Sequence, residues 1–141
     1  MRISICAAAG VVGGIIATFF GGWSDGLTTL VIFMCIDYIS GFVVAGVFKK
    51  SRKTESGALE SRAGWKGLCR KCMTLVLVLV AYRLDLLRGE GTLIRDAVTI
   101  GFTINEGLSI LENAVLMGLK VPEPLRKALE VLAPKAEVKE E

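Results

Sequence analysis

Residues 26–48 read GLTTLVIFMCIDYISGFVVAGVF, an apolar run of 23 residues in which Asp37 is the only charged residue. As a helix this run would be about 35 Å long, enough to cross the roughly 30 Å hydrocarbon core of a bilayer. The run therefore predicts a transmembrane helix. We therefore expect the rest of the chain to fold partly in contact with lipid.

Three further apolar runs lie at residues 3–20, 72–87 and 93–119. Strands without partners leave backbone groups unsatisfied in lipid, so each run is expected to be helical. The sequence predicts an all-α integral membrane protein with about four transmembrane helices. In an alternative arrangement, one of the four helices lies at the membrane interface and does not cross the bilayer. A cleaved signal peptide is the other alternative for residues 3–20.

Composition narrows the class of function. Of 141 residues, 52% are hydrophobic, the mean hydropathy is +0.57, and there is no histidine, the commonest acid–base catalyst and metal ligand at neutral pH. Cys69 and Cys72 form a lone C-x-x-C pair without the second pair of ligands that a zinc site needs. We expect no catalytic residue, no metal and no cofactor, and a net charge of +3 does not indicate nucleic-acid binding.

Basic residues are distributed unevenly between the ends of these runs. Eight of the 17 Lys and Arg residues lie in the loop 49–71, five follow residue 119 and one is Arg2, whereas the short turns contain only Arg88. Lys and Arg favour the cytoplasmic side of short loops. Four spans with both termini in the cytoplasm place fourteen basic residues inside and one outside, which predicts a multi-pass protein of the bacterial cytoplasmic membrane.

Two parts of the chain are predicted from this pattern. Residues 1–119 form the transmembrane domain, and residues 120–141 form a cytoplasmic part. The cytoplasmic part begins with a short amphipathic helix over residues 122–132, because its apolar residues recur at helical spacing. A charged tail, residues 133–141, follows it.

Polar side chains inside the runs are the candidates for function, because an ionisable group at bilayer depth costs several kcal/mol unless it is paired or hydrated. On a helical run 93–119 they form one stripe and its flanks. With Asp37, the candidate residues are Arg95, Asn105, Glu106, Ser109, Glu112 and Asn113.

Three interpretations of this stripe remain open. It could line a water-filled channel built from several subunits. It could pack inside a single chain, with Arg95 or Arg83 paired to Asp85, Asp96 or Glu106. The helix could also lie flat at the membrane interface.

Small residues suggest where helices approach closely. Gly10, Gly13 and Gly14 recur in the first run with the small-xxx-small spacing that brings helix backbones together in lipid. Gly41 is the corresponding candidate in the second run. We predict that these glycines serve helix packing.

Four motifs, in order along residues 26–132, resemble one family. The segment IDYISG at residues 36–41 is similar to the D-Y-[IL]-[ST]-G motif of phage lysis and toxin-secretion holins, and GWKGLCRK at residues 64–71 resembles that family's G-x-K-G-x-x-[KR]-K motif. The segment NEGLSILEN at residues 105–113 looks like its N-E-x-x-S-I-x-E-N signature, and VPEPL at residues 121–125 looks like its tail motif. The stretch 51–63 is longer than we expect for the family.

The resemblance implies a holin, a protein that accumulates in the bacterial cytoplasmic membrane, oligomerises with itself and then forms a pore. An endolysin or a toxin would cross this pore without necessarily touching the protein. One alternative function is a small proton-coupled multidrug-type transporter with Asp37 or Glu106 as its proton site. Another is a membrane scaffold or anchor that recruits a partner through its C-terminal part.

Overall fold

The computed structural model describes residues 2–89 and 91–132, with only the backbone described for Arg2 and Ile3. Every regular element within these residues is helical, which confirms the all-α prediction. The predicted charged tail, 133–141, lies outside the described residues. The elements are α1 (Arg2–Phe19), α2 (Asp25–Val43) with a final π-helical turn (Val44–Phe48), α3 (Ser61–Arg88), α4 (Leu93–Leu116) and α5 (Glu123–Leu132).

α3 differs most from the sequence prediction, because it begins at Ser61 rather than at residue 72. The sequence places residues 61–71 in the basic loop, but lysine and arginine are good helix formers and the helix continues through them. The loop is therefore shorter, and Lys71 is brought into the bundle. α4 also ends earlier than residue 119, at Leu116, just before the left-handed Gly118 with φ of 90°.

α2, α3 and α4 form a three-helix bundle. α2 and α4 run in the same direction, since a Cβ at Gly26 would lie 3.5 Å from Thr99 and one at Gly41 would lie 3.9 Å from Asn113. α3 runs the opposite way. In the half of the bundle where α2 and α4 begin, the core consists of Leu27, Leu30, Met34 and Val78.

A hydrogen-bonded cluster closes this end of the bundle. The fully buried Asp85 of α3 accepts hydrogen bonds from the backbone N–H groups of Ile94 and Arg95, at 2.9 and 2.8 Å, and so caps α4. The guanidinium of Arg95 donates to the carbonyls of Phe20 and Gly21, at 2.9 and 3.2 Å, where α1 turns into α2. One end of α4 is thereby attached to both α3 and the α1–α2 turn.

α1 has almost entirely exposed side chains. A Cβ added at Gly10, Gly13 or Gly14 would meet nothing within 4 Å. These three glycines contact no other helix within the described part of the single chain. Their predicted packing role would therefore be between copies of the chain, and it stays a prediction.

α5 folds back against α4. A Cβ at Gly107 would lie 3.0 Å from Leu129 and 3.3 Å from the ring of Phe33, so this glycine lets α5 approach the bundle. The outer face of α5 is charged. A hydrogen bond from Arg126 to Glu123, and the negative charges of Glu123 and Glu130, raise the pKa of Arg126 above its ordinary value.

Among the described residues, one helix is long and apolar enough to cross a membrane. It spans Asp25–Phe48, with 24 residues and a mean hydropathy of 2.2. The apolar stretch Ser4–Phe19 in α1 is shorter. The four-span arrangement therefore stays a prediction.

The turn between α1 and α2 offers a test of the fold. Gly21 has φ of 77° and a Cβ there would overlap the ring of Tyr82, whereas Gly22, with φ of 92°, faces open space. Gly22→Ala should lose about 1–2 kcal/mol of stability through left-handed backbone strain alone. Gly21→Ala should lose roughly 1–3 kcal/mol more, because the Tyr82 ring has to move.

Detergent-solubilised protein unfolded by sodium dodecyl sulfate, followed by circular dichroism, measures the difference between these two variants. Equal losses would contradict the described contact between Gly21 and Tyr82.

Candidate functional site

Five polar residues meet inside the bundle, toward the end opposite the Arg95 contacts. Asp37 comes from α2, Lys71 from α3, and Glu106, Ser109 and Asn113 from α4. We call this group the Lys71 cluster. The three residues of α4 lie at i, i+3 and i+7, so the helix presents all of them on one face.

Lys71 joins the two carboxylates. Its Nζ lies 2.8 Å from Oδ2 of Asp37 and also forms a salt bridge with Oε2 of Glu106. The exposed fractions of the three side chains are 13% for Lys71, 6% for Asp37 and 15% for Glu106. The ammonium thus connects all three helices of the bundle, with two negative charges beside one positive charge.

Neutral donors complete the coordination of Asp37. The hydroxyl of Ser109 donates to Oδ1 at 2.5 Å, and the amide of Asn113 donates to the same oxygen at 3.1 Å. The Asn113 amide also donates to the hydroxyl of Ser40 at 2.8 Å. Among the described residues, no buried side-chain nitrogen or oxygen lacks a hydrogen-bond partner. The cluster is thus a satisfied polar network.

Aromatic and glycine residues hold α2 and α3 together beside the cluster. The hydroxyl of Tyr38 donates to the carbonyl of Gly64 at 3.2 Å, and its ring meets Phe42 edge-on with centroids 4.9 Å apart. A Cβ at Gly64 would lie 3.3 Å from Phe42, and one at Gly67 would lie 3.6 Å from Tyr38. Larger residues at these glycines would separate the helices that carry Asp37 and Lys71.

The predicted site residues fall into three groups. Asp37, Glu106, Ser109 and Asn113 come together in the Lys71 cluster, and Gly41 lies beside Asn113. Asn105 and Glu112 are exposed on α4. Arg95 lies in the other polar cluster, where it pairs with Asp96 at 2.8 Å.

Sequence reasoning missed Lys71 and the capping role of Asp85. The sequence predicts a loop at Lys71, although this residue lies in the motif at residues 64–71 that carries part of the family resemblance. For Asp85 the sequence suggests only pairing with an arginine. Asp85 lies nine residues before Ile94, and glycines 89 and 91 stand between them. This spacing is the sequence signal that could have indicated a cap on α4.

Because Lys71 is shared by two carboxylates, mutations of Lys71 and of Glu106 should lower the stability by different amounts. Lys71→Gln leaves two nearby carboxylates without a cation and should lose about 3–5 kcal/mol of stability. Glu106→Gln leaves the buried pair of Lys71 and Asp37 intact and removes the surplus negative charge, so it should lose clearly less stability than Lys71→Gln. Adding Asp37→Asn to Lys71→Gln should restore part of the loss, because one of the two carboxylates is then removed.

Unfolding of the purified variants by sodium dodecyl sulfate measures these losses. A loss for Glu106→Gln as large as that for Lys71→Gln would show that the ammonium is not the shared centre of the cluster.

Comparison with known proteins relates these motifs to one family. A family model described as the bacteriophage holin family matches residues 14–134. An uncharacterised protein of Listeria monocytogenes is 38% identical over 129 residues, covering 92% of this chain and 86% of its own length. An uncharacterised protein of Clostridium perfringens is 36% identical over 140 residues, covering 97% and 98%. No solved structure matches significantly.

A phage protein is also among the relatives. A protein of Bacillus phage phi105 named as a probable holin is 31% identical over 106 residues, which cover 75% of this chain and 73% of its own. The family match includes all of α2, α3, α4 and α5, together with every residue of the Lys71 cluster. Holins are not a family of enzymes. This chain belongs to the bacteriophage holin family.

Proposed function

We propose that this chain is a holin that oligomerises in the bacterial cytoplasmic membrane and forms a pore, through which an endolysin or a toxin passes. The observation that carries the proposal is that three of the motifs that resemble those of holins come together in the Lys71 cluster. The motifs at residues 36–41, 64–71 and 105–113 each supply at least one of its ionisable groups. The part of the chain that resembles holins is thus the part that organises the bundle.

The direction of the helices supports the membrane topology of the proposal. Since α2 and α4 are parallel and α3 is antiparallel, the loop 49–60, the basic start of α3 and the segment after Leu116 share one end of the bundle. The turn at 20–24, the end of α3 at Arg88 and the start of α4 at Leu93 share the other end. A cytoplasmic location of the basic end, with four spans and both termini inside, agrees with the distribution of lysine and arginine.

The pairing of charges supports entry into the membrane. Isolated Asp, Glu and Lys side chains are expensive at bilayer depth, but Lys71, Asp37 and Glu106 neutralise one another in part. A single subunit therefore reaches the membrane interior with its strongest charges already paired. We propose that the cluster organises the subunit, and that its rearrangement accompanies assembly.

Assembly needs surfaces that a single chain leaves open. The exposed Asn105 and Glu112 on α4 are our candidates for contact with water or a neighbouring subunit. The exposed glycine face of α1, with Gly10, Gly13 and Gly14, is the candidate for contact between copies. Arg95 holds the opposite end of each subunit together.

Inducible expression in a bacterium that also produces a cytoplasmic endolysin tests the proposal. The holin should stop growth abruptly, collapse the membrane potential and release the endolysin. Normal growth and potential at high membrane abundance would contradict pore formation. Proton-coupled flux or drug resistance without lysis would instead indicate a transporter.

Two glutamates on α4 should set the timing of lysis. Glu106→Gln changes the cluster from a net charge of −1 to zero, and Glu112→Gln removes an exposed charge beside a cavity lined by Arg52 and Lys53. We expect both variants to shift lysis timing or block lysis. Glu55→Gln, an exposed loop residue, is the matched control and should lyse like wild type.

Culture turbidity after induction, with membrane abundance measured by immunoblotting, gives the timing for each variant. Wild-type timing for both α4 variants at equal abundance would remove these residues from the proposed pore.

A further inference from the structure

A second polar feature lies beside the Lys71 cluster, between α3, α4 and the loop 49–60. It is a cavity of about 230 Å³ whose wall includes the cations Lys53, Lys66 and Arg70. Thr74 and Asn105 contribute neutral polar groups to the same wall. The carboxylates of Asp37 and Glu106 also line it, and both are bound to Lys71. The cavity thus has three cations in addition to the charges of the Lys71 cluster, one from the loop and two from α3.

These three cations are available to a ligand. Lys71 also lines the cavity, but it is bound to the carboxylates of Asp37 and Glu106. No carboxylate in the described part of the chain lies within salt-bridge distance, 4.0 Å, of Lys53, Lys66 or Arg70. The cavity therefore has an excess of positive charge and a set of unoccupied donors.

We propose that this cavity binds the phosphate group of an anionic phospholipid from the surrounding membrane. Lysine supplies compact ammonium donors and arginine a planar fork, and both suit phosphate oxygens. The proposal rests on the membrane placement proposed above, with this end of the bundle at the cytoplasmic face. Basic pockets between membrane helices on that side are suited to anionic headgroups.

The surface next to the cavity favours a lipid over free phosphate. Lys66, Arg70, Met73 and Leu77 lie at i, i+4, i+7 and i+11 on α3, so they follow one stripe along the helix. Met73 and Leu77 are 56% and 44% exposed. A phosphate held by the two cations would thus have an apolar stripe leading away from it toward the middle of the membrane.

The same stripe continues beyond Leu77. Val80 and Leu84, at the next helical positions, are also exposed. An acyl chain lying along the stripe would cover side chains that the bundle leaves open. The cationic end and the apolar end together match an amphiphile with a negative headgroup, which inorganic phosphate does not resemble.

The test measures lipid retention by native mass spectrometry of the full chain in detergent, with phosphatidylglycerol as the probe. The wild type should retain one phosphatidylglycerol per chain in preference to phosphatidylcholine. Each cation beside an anionic headgroup contributes about fivefold to affinity, so Lys66→Gln with Arg70→Gln should lower retention about 25-fold. Both side chains are exposed, and circular dichroism checks that the variant keeps its helices.

The matched control is Lys50→Gln with Arg62→Gln. Both residues are exposed near the same end of the bundle and neither lines the cavity. This control loses the same charge and should retain lipid like wild type. An equal loss in the control and the cavity variant would overturn the proposal, because it would indicate general attraction to a basic surface.

A competition experiment on the wild type distinguishes the source of the phosphate. Inorganic phosphate and glycerophosphoglycerol, the headgroup without acyl chains, should not displace phosphatidylglycerol at equal concentration. Displacement by either would overturn the lipid assignment and indicate a site for free phosphate. Absence of retained lipid in a wild type that still lyses cells would reject this site while leaving the proposed function intact.

Discussion

The two salt bridges of Lys71, one with Asp37 and one with Glu106, are the contacts on which the arrangement of the three helices depends. Helices in lipid gain little from the hydrophobic effect, since the surrounding acyl chains are as apolar as their side chains. Close packing and polar contacts have to specify which helices meet and at what depth. Here one cation from α3 binds one carboxylate from α2 and one from α4. These contacts fix the positions of the three helices along the bundle axis relative to one another. Ser109 and Asn113 then fix the Asp37 carboxylate in one orientation.

The contacts of Asp85 and Arg95 at the opposite end complete this constraint. A single ion-paired cluster would let the helices pivot about it, whereas two separated clusters hold their directions as well as their heights. The apolar core around Leu30 and Val78 lies between them and contains no group that selects a register by hydrogen bonding. The two parallel helices, α2 and α4, are thus anchored near both ends, and α3 is the antiparallel helix that carries an anchor for each. Both clusters consist of ion pairs, hydrogen bonds and a helix cap, so their effect is on the structure of the bundle.

Much of this arrangement could be predicted from the sequence, but the partners could not. The spacing of Glu106, Ser109 and Asn113 places them on one helical face, and Asp37 stands out as the one charge in its apolar run. Arg95 shares the same stripe, yet it lies about 16 Å along the helix axis from Glu106, so the two belong to different clusters. Periodicity gives the face of a residue and not its depth or its partner. The role of Lys71 could not be predicted for a related reason. A run of basic residues next to an apolar segment has the composition of a loop, and only the tertiary fold shows that α3 continues through it.

The attachment of α1 has a mechanical consequence. The carbonyls of Phe20 and Gly21 are held by Arg95, and the next residue that turns the chain, Gly22, has the left-handed backbone of a bend. The side chains described for α1 are almost entirely exposed, so its 18 residues form a lever whose fulcrum is its C-terminal end at the bundle. Such a lever is about 27 Å long, so a rotation of roughly 10° at the fulcrum moves its tip by about 5 Å. That displacement is comparable to one helical turn. In the proposed oligomer it would change the register of the contacts between α1 and a neighbouring subunit while the bundle itself stayed in place.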